Sequence, residues 1–141
     1  MMPDLRNFLI IDDSASDAGH LRACIRIVAG YQVHVRESST VAEALEAVKA
    51  ETPQLVFTDH LSPTDTAFAT ILKLRGIGYK GPVVVVTGNR DPATRQQLMA
   101  AGAIDVVDKD DLDAALLART LAKVREKIAE LPAASKSEKK H

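Results

Sequence analysis

The sequence predicts an α/β fold in which a doubly wound, five-stranded parallel sheet carries helices on both faces. Short apolar runs alternate five times with longer stretches of helical periodicity, the pattern of repeated strand–helix units joined by right-handed crossovers. Two of the runs, LVF and VVVV, are apolar without alternation, as expected of strands that helices cover on both faces. These two observations together favour a single doubly wound domain.

Five strands are predicted from the apolar runs. They cover residues 8–12, 32–36, 54–59, 82–87 and 103–107. The second run, QVHVR, alternates apolar and polar residues. That alternation is typical of an edge strand with one solvated face.

Five helices are predicted between and after the strands. They cover residues 16–28, 40–51, 66–75, 92–101 and 111–131. The first helix follows DSASD, which is rich in capping residues, and the fourth has Pro92 in its first turn and Gly102 after its end. Pro132 follows the fifth helix, so we expect one domain over residues 5–131 and a disordered polar tail, PAASKSEKKH, over 132–141.

Composition excludes several classes of function. The 141 residues are 46% hydrophobic and 26% charged with a formal net charge of −1, which leaves no basic surface for nucleic acid. No apolar run approaches the ~20 residues of a membrane span. Cys24 is the single cysteine, and the first residues, MMPDLRN, lack the pattern of a signal peptide. We therefore expect a cytoplasmic protein that binds neither nucleic acid nor membrane.

Polar side chains stand where the predicted strands end. Asp12 and Asp13 end the first strand, Asp59 the third and Thr87 the fourth, and Lys109 lies just past the fifth. Each of them alone has an ordinary explanation as a helix cap, a turn residue or a solvated charge. In open α/β sheets, however, ligands bind beyond the carboxyl ends of the strands. The joint pattern predicts that these five side chains line one crevice.

The chemistry of this set is that of phosphoryl transfer. Three carboxylates supply the hard oxygen ligands that Mg²⁺ prefers, and the metal would offset the repulsion between them. A carboxylate can then act as the nucleophile toward a phosphoryl group and form an aspartyl phosphate. Thr87 can donate a hydrogen bond to one phosphoryl oxygen, and Lys109 can pair with another.

The segments IIDDS, LVFTDHLSP, VVVVTG and VDKDD resemble the receiver domain of bacterial two-component response regulators, and the likeness covers about residues 5–130. The resemblance implies a flavodoxin-like sheet of strand order 2-1-3-4-5. It also implies that a histidine kinase or a histidine phosphotransfer protein phosphorylates Asp59. Mg²⁺ would be bound by Asp12, Asp13, Asp59 and the backbone carbonyl of Leu61. Thr87 and Lys109 match the family's switch hydroxyl and phosphate-pairing lysine.

Several positions depart from the family pattern, and two of them lie close to Lys109 in the chain. Val106 stands where the family usually has Tyr or Phe, and a valine has no ring to swing between buried and exposed positions. This argues against the usual threonine–aromatic switch. Asp110 follows the lysine where the family has a proline in a cis bond. Because a cis bond before a non-proline residue costs ~2.5–4 kcal/mol, we expect a trans bond here.

The leading interpretation is a stand-alone receiver that is not an enzyme and signals to an unknown downstream protein by contact. One alternative is a degenerate receiver that binds partners without phosphorylation. Another is a phosphatase of the haloacid dehalogenase type, which would need DxDxT on the first strand where this chain has DDSAS. Leu112 and Leu116 add a second apolar stripe to the fifth helix. That stripe suggests a homodimer through the fourth and fifth helices, with core packing as the competing explanation.

Overall fold

The computed structural model describes residues 4–59, 66–89 and 91–139, with side chains described as far as residue 129. Its centre is a sheet of five strands. They are β1 (Asn7–Ile11), β2 (His34–Ser38), β3 (Leu55–Thr58), β4 (Val83–Thr87) and β5 (Asp105–Asp108). Each observed strand overlaps one of the predicted strands, and no strand end differs by more than two residues.

All neighbouring strands pair in parallel, in the order β2-β1-β3-β4-β5. The predicted fold class and strand order are therefore confirmed, and β2 is an edge strand as its alternation indicated. The chain runs outward from β1 to one edge and then, from β3 onward, to the other. The neighbouring strands β1 and β3 lie where this direction reverses, and a crevice is expected beyond their carboxyl ends.

Helices follow the strands in strict alternation. They are α1 (Ala15–Ala29), α2 (Val41–Ala50), α3 (Ala67–Gly76), α4 (Pro92–Ala101) and α5 (Ala114–Lys139). The side chains of Ser14, Thr40, Thr66 and Asp91 cap the first four helices by accepting backbone N–H groups of the first turn. The caps explain why these four helices begin where the sequence predicted, since each satisfies a donor that has no partner inside the helix.

The fifth helix differs from its predicted range of 111–131 at both ends. Lys109–Asp111 form a separate 3-10 turn, and Asp113 accepts a hydrogen bond from the backbone N–H of Leu116, so α5 begins only after it. At the other end, α5 continues past Pro132 to Lys139. The alanine, glutamate and lysine residues there favour helix. The division between domain and tail at residue 132 stays a prediction.

None of the described helices, α5 included, is long and apolar enough to cross a membrane.

The sheet is covered on both faces by apolar layers. One layer joins α1 and α5 to Phe8, Ile10 and Phe57 of the sheet. The other joins α2, α3 and α4 to Leu9 and Ile11. Adjacent residues of β1 thus point into opposite layers, which is why this strand is apolar without alternation.

Both apolar stripes of α5 and the segment before it pack against the core. Leu112, Leu117, Leu121 and Val124 are buried, and Leu116 and Ile128 are partly buried against the same layer. Core packing therefore accounts for the stripe that suggested a homodimer, as far as residue 129. The homodimer stays a prediction.

Candidate functional site

Three aspartates meet at the carboxyl end of the sheet. Asp12 directly follows β1, and Asp59 directly follows its neighbour β3. The backbone N–H of Asp59 donates to the carbonyl of Ile11 at 3.0 Å, which continues the strand ladder and holds the two ends side by side. Oxygens of Asp12, Asp13 and Asp59 lie within 4.8 Å of one another. We call these three residues the acidic cluster.

Lys109 places a positive charge next to the acidic cluster, and it follows β5, the strand at one edge of the sheet. It is the first residue of the 3-10 turn after β5, and its Nζ donates to Oδ2 of Asp59 at 3.0 Å. The same Nζ donates to Oδ2 of Asp17 at 2.8 Å and lies 3.4 Å from Oδ2 of Asp12. Burial lowers the pKa of Lys109, but the hydrogen bonds to Asp17 and Asp59 outweigh it and raise the pKa overall. The lysine is therefore charged at neutral pH.

One lysine does not neutralise the acidic cluster. The pKa of Asp12 is raised above its ordinary value, chiefly because burial penalises the charged form, and the nearby charge of Asp59 adds to this. The backbone N–H of Ser14, which donates to Oδ1 of Asp12 at 2.9 Å, and Lys109 act in the opposite direction. Three carboxylates thus face one ammonium group, and a bound cation would offset the repulsion between them.

Thr87 ends β4, the strand beside β3, and so lies at the same edge of the sheet as Asp59. Its side chain is buried, and its Oγ1 accepts a hydrogen bond from the backbone N–H of Asn89 at 3.1 Å. This bond uses the oxygen as an acceptor and does not itself engage the hydroxyl proton of Thr87. The position agrees with the predicted role toward a phosphoryl oxygen.

The predicted set is brought together with one exception. Asp12, Asp13, Asp59 and Lys109 form one cluster, and Thr87 lies at the same edge. Leu61, whose carbonyl was predicted to bind the metal, lies outside the described residues. The described peptide bonds include no cis bond, so the predicted trans bond between Lys109 and Asp110 is confirmed.

Asp17 is a site residue that the sequence reasoning missed. It lies in the first turn of α1, where its backbone N–H donates to Oγ of the capping residue Ser14 at 3.2 Å. An acidic residue three positions after a capping serine is typical of a helix start. That pattern explains Asp17 fully, so there was no reason in the sequence to assign it a second role. No local signal distinguished Asp17 from an ordinary helix-start residue, because its partner Lys109 lies 92 residues away in the chain.

The acidic cluster fits a magnesium ion by the chemistry of its donors. All three side chains offer carboxylate oxygens, and Asp13 is exposed, so hydrated metal can reach it. We expect saturating Mg²⁺ to stabilise the protein by about 2.7 kcal/mol at a concentration one hundred times its Kd. Thermal unfolding with and without MgCl₂ measures this, and Asp13→Asn should reduce the gain. An equal gain from NaCl of matched ionic strength would contradict specific binding.

A second charged cluster is centred on Asp105, the first residue of β5, whereas Lys109 follows the last residue of that strand. The side chain of Asp105 is only 5% exposed and pairs with Nη2 of Arg95 on α4 at 3.1 Å and with Nζ of Lys123 on α5 at 3.3 Å. Arg95 also donates to the carbonyl of Val106, the residue that replaces the family's aromatic side chain. Asp105 therefore ties α4 and α5 to the edge strand of the sheet.

Replacing Asp105 by asparagine is expected to lower the free energy of unfolding by about 1–3 kcal/mol, because a buried charged acceptor is lost. Chemical denaturation measures the loss. Glu46→Gln is the matched control, since Glu46 pairs with Lys49 on the surface with its side chain 76% exposed. The control should change stability by less than about 0.5 kcal/mol. Equal losses would show that the pairing of Asp105 contributes nothing beyond a surface ion pair.

Comparison with known proteins agrees with these observations. The family model described as the response regulator receiver domain matches residues 8–121. The transcriptional regulatory protein KdpE of Mycobacterium tuberculosis is 35% identical over 121 residues, which are 86% of this chain and 52% of KdpE. The protein of Priestia megaterium named "Probable C4-dicarboxylate response regulator DctR" is 29% identical over 72% of this chain and 44% of its own. The chain thus spans about half the length of these relatives.

Among solved structures, chemotaxis protein CheY4 of Vibrio cholerae is similar in fold. It is 24% identical, with a TM-score of 0.74 over 85% of this chain and 98% of its own. At this identity the likeness concerns the fold alone. It agrees with the strand order and the helix placement described above.

Proposed function

Because the chain belongs to the response regulator receiver domain family, we propose that it accepts a phosphoryl group on Asp59 and signals through the resulting change in protein contacts. The donor would be a histidine kinase or a histidine phosphotransfer protein, as is general for receivers. One observation carries the proposal: Nζ of Lys109 lies 3.0 Å from Oδ2 of Asp59, inside the acidic cluster. A carboxylate nucleophile and a fixed positive charge are thus already adjacent.

The chemical step is a displacement at phosphorus. A carboxylate oxygen of Asp59 forms the new O–P bond while the P–N bond of the donor phosphohistidine breaks. The electron pair of the broken bond stays on the imidazole nitrogen, which takes up a proton from solvent. Lys109 neutralises charge on the phosphoryl oxygens, and Thr87 donates a hydrogen bond to one of them. Phosphoryl transfer depends mainly on such positioning and charge, which these residues can supply.

Asp12, Asp13 and Asp59 would hold Mg²⁺, in agreement with their carboxylate donors and with the repulsion that three close carboxylates exert on one another. When bound, the ion supplies charge neutralisation at the phosphoryl oxygens. The protein's own residues keep the acceptor carboxylate at the open end of the sheet. Asp59 is 13% exposed, which leaves it within reach of a donor.

In this proposal the chain is a cytoplasmic, phosphorylation-dependent binding module and not an enzyme. The presence of all three acidic residues and of Lys109 in one cluster favours it over a receiver that works without phosphorylation. The acidic pair followed by SAS favours it over a phosphatase of the DxDxT type.

Intact-mass measurement after incubation with acetyl phosphate tests the proposal. We expect an adduct of one phosphoryl group in the presence of MgCl₂, and none when EDTA replaces it. Acetylation by the same reagent adds a different mass and is distinguished in the same spectrum, and a sample with inorganic phosphate in place of acetyl phosphate controls for non-covalent addition. Absence of any adduct over a range of Mg²⁺ and acetyl phosphate concentrations would reject the phosphoacceptor function.

A further inference from the structure

The shortest hydrogen bond of Lys109 goes to a residue outside the acidic cluster. Its Nζ lies 2.8 Å from Oδ2 of Asp17, compared with 3.0 Å to Asp59 and 3.4 Å to Asp12. Asp17 belongs to α1, and it is not among the residues that could share a metal ion. This contact therefore has no place in the phosphoacceptor and metal functions already assigned.

The position of Asp17 is fixed by helix α1, and Asp17 is not part of the acidic cluster. It lies in the first turn of α1, and that turn is capped by Ser14. The hydrogen bond from Lys109 lowers the pKa of Asp17 below its ordinary value, so both partners of the pair are charged. The side chain of Asp17 is 43% exposed and that of Lys109 24%, which places Asp17 on the solvent side of the lysine.

The other two partners of Lys109 belong to the acidic cluster, whose oxygens are also the candidate metal ligands. A metal ion held by Asp12 and Asp59 would weaken their attraction for the lysine, whereas the contact between Lys109 and Asp17 does not involve a candidate metal ligand. A lysine side chain carries about 2 kcal/mol of rotamer entropy, and restricting it in advance lowers the cost of using it in a reaction. Among the described hydrogen-bond partners of Lys109, Asp17 is thus the one outside the candidate metal ligands.

We propose that Asp17 is a positioning residue that holds the ammonium group of Lys109 over Asp59 before and during phosphorylation. The proposal rests on the proposed function, since it concerns the same transfer. It also links α1 to the phosphorylation site through a direct ion pair. The loss of this restriction should slow formation of the aspartyl phosphate by about 3- to 10-fold, a part of the rotamer entropy of lysine.

The rate of adduct formation from acetyl phosphate, at saturating Mg²⁺, tests this. Asp17→Asn should be slower by that factor, and Asp17→Glu should recover at least half of the wild-type rate. Glu43→Gln is the matched control, because Glu43 is the third residue of α2 as Asp17 is of α1, and its carboxylate lies near Ser39 of its own helix start. We expect its rate to be unchanged.

A double-mutant cycle separates positioning from a structural effect. In a Lys109→Met background, Asp17→Asn should change the rate no further, because the group that it positions is gone. An equal slowing in both backgrounds, or a slowing by Glu43→Gln as large as that by Asp17→Asn, would overturn the proposal. So would a faster reaction of Asp17→Asn, since Asp17 would then compete with the phosphoryl group for the lysine.

A measurement on the metal-free, unphosphorylated protein distinguishes this proposal from the proposed function. The ammonium ¹⁵N–¹H signal of Lys109 should be protected in the wild type and in Glu43→Gln, and lost by exchange in Asp17→Asn. If this holds but no adduct forms, the positioning stands and the phosphoacceptor function fails. If the adduct forms and Asp17→Asn leaves the signal protected, the function stands and the positioning is wrong.

Discussion

Asp59→Asn is expected to remove the acetyl phosphate adduct, with a rate at least about 100-fold below that of the wild type. A carboxamide oxygen is a far weaker nucleophile than a carboxylate, and its product with a phosphoryl group is not stable. The substitution keeps the size of the side chain and an oxygen that can accept from Lys109, so the fold should persist. Intact mass over a time course measures the effect, and circular dichroism checks the fold.

Asp4→Asn is the control for this experiment. Asp4 is an exposed aspartate that pairs with Arg6 at the start of the chain, away from the carboxyl edge of the sheet. It should form the adduct at the wild-type rate. An adduct on Asp59→Asn that forms at a comparable rate would show that another residue is the acceptor. Peptide mapping would then compare Asp12 and Asp13, which are the nearest carboxylates.

Phe57→Ala is expected to lower the free energy of unfolding by about 3–5 kcal/mol, a large part of the 5–15 kcal/mol of a typical domain. Phe57 is 1% exposed and stacks on Phe8 of the neighbouring strand with 6.5 Å between ring centroids. Removing the ring leaves a cavity between the sheet and the layer formed by α1 and α5. Urea denaturation followed by circular dichroism measures the loss.

The matched control is Phe68→Ala, which removes the same ring from α3. Phe68 is 45% exposed, so less apolar surface returns to water and no closed cavity forms. We expect a loss below about 1 kcal/mol.

Because Phe57 lies two residues before Asp59 on the same chain segment, Phe57→Ala should also weaken the Mg²⁺-dependent stabilisation. Similar losses for both phenylalanines would contradict the assignment of Phe57 to the core.

Much of the fold follows from local patterns in the chain. Strands buried on both faces need continuous apolar runs, and VVVV and LVF can be recognised without knowledge of their neighbours. The capping side chains of Ser14, Thr40, Thr66 and Asp91 act within a few residues of their own helices, so four helix starts could be predicted to within one or two residues. The strand order came from the family resemblance, since hydrophobic pattern alone does not rank parallel strands.

The site residues that lie at strand ends could be predicted from the sequence. Parallel strands place their carboxyl ends at one edge, so Asp12, Asp59 and Thr87 had to lie near one another once the sheet was recognised. Lys109 follows β5 and was also predicted to line this crevice, but its direct contact with Asp59 across β4 depends on how the chain folds. For the start of α5, the prediction was wrong because the 3-10 turn that carries Lys109 has the same acidic residues as a helix start.

Only the tertiary structure decided the partners of the charged side chains. Asp17 and Lys109 are 92 residues apart in the chain, and Asp105 contacts Arg95 and Lys123 from two different helices. Taken alone, Asp17 has the pattern of a helix start, Lys109 that of a solvated loop charge and Asp105 that of a strand residue, and none of these patterns indicates a partner. An ion pair depends on distances of a few ångströms between side chains, and those distances arise from the packing of α1, α4 and α5 on the sheet. The sequence by itself therefore determined the sheet and the acidic edge, whereas packing determined which charges meet there.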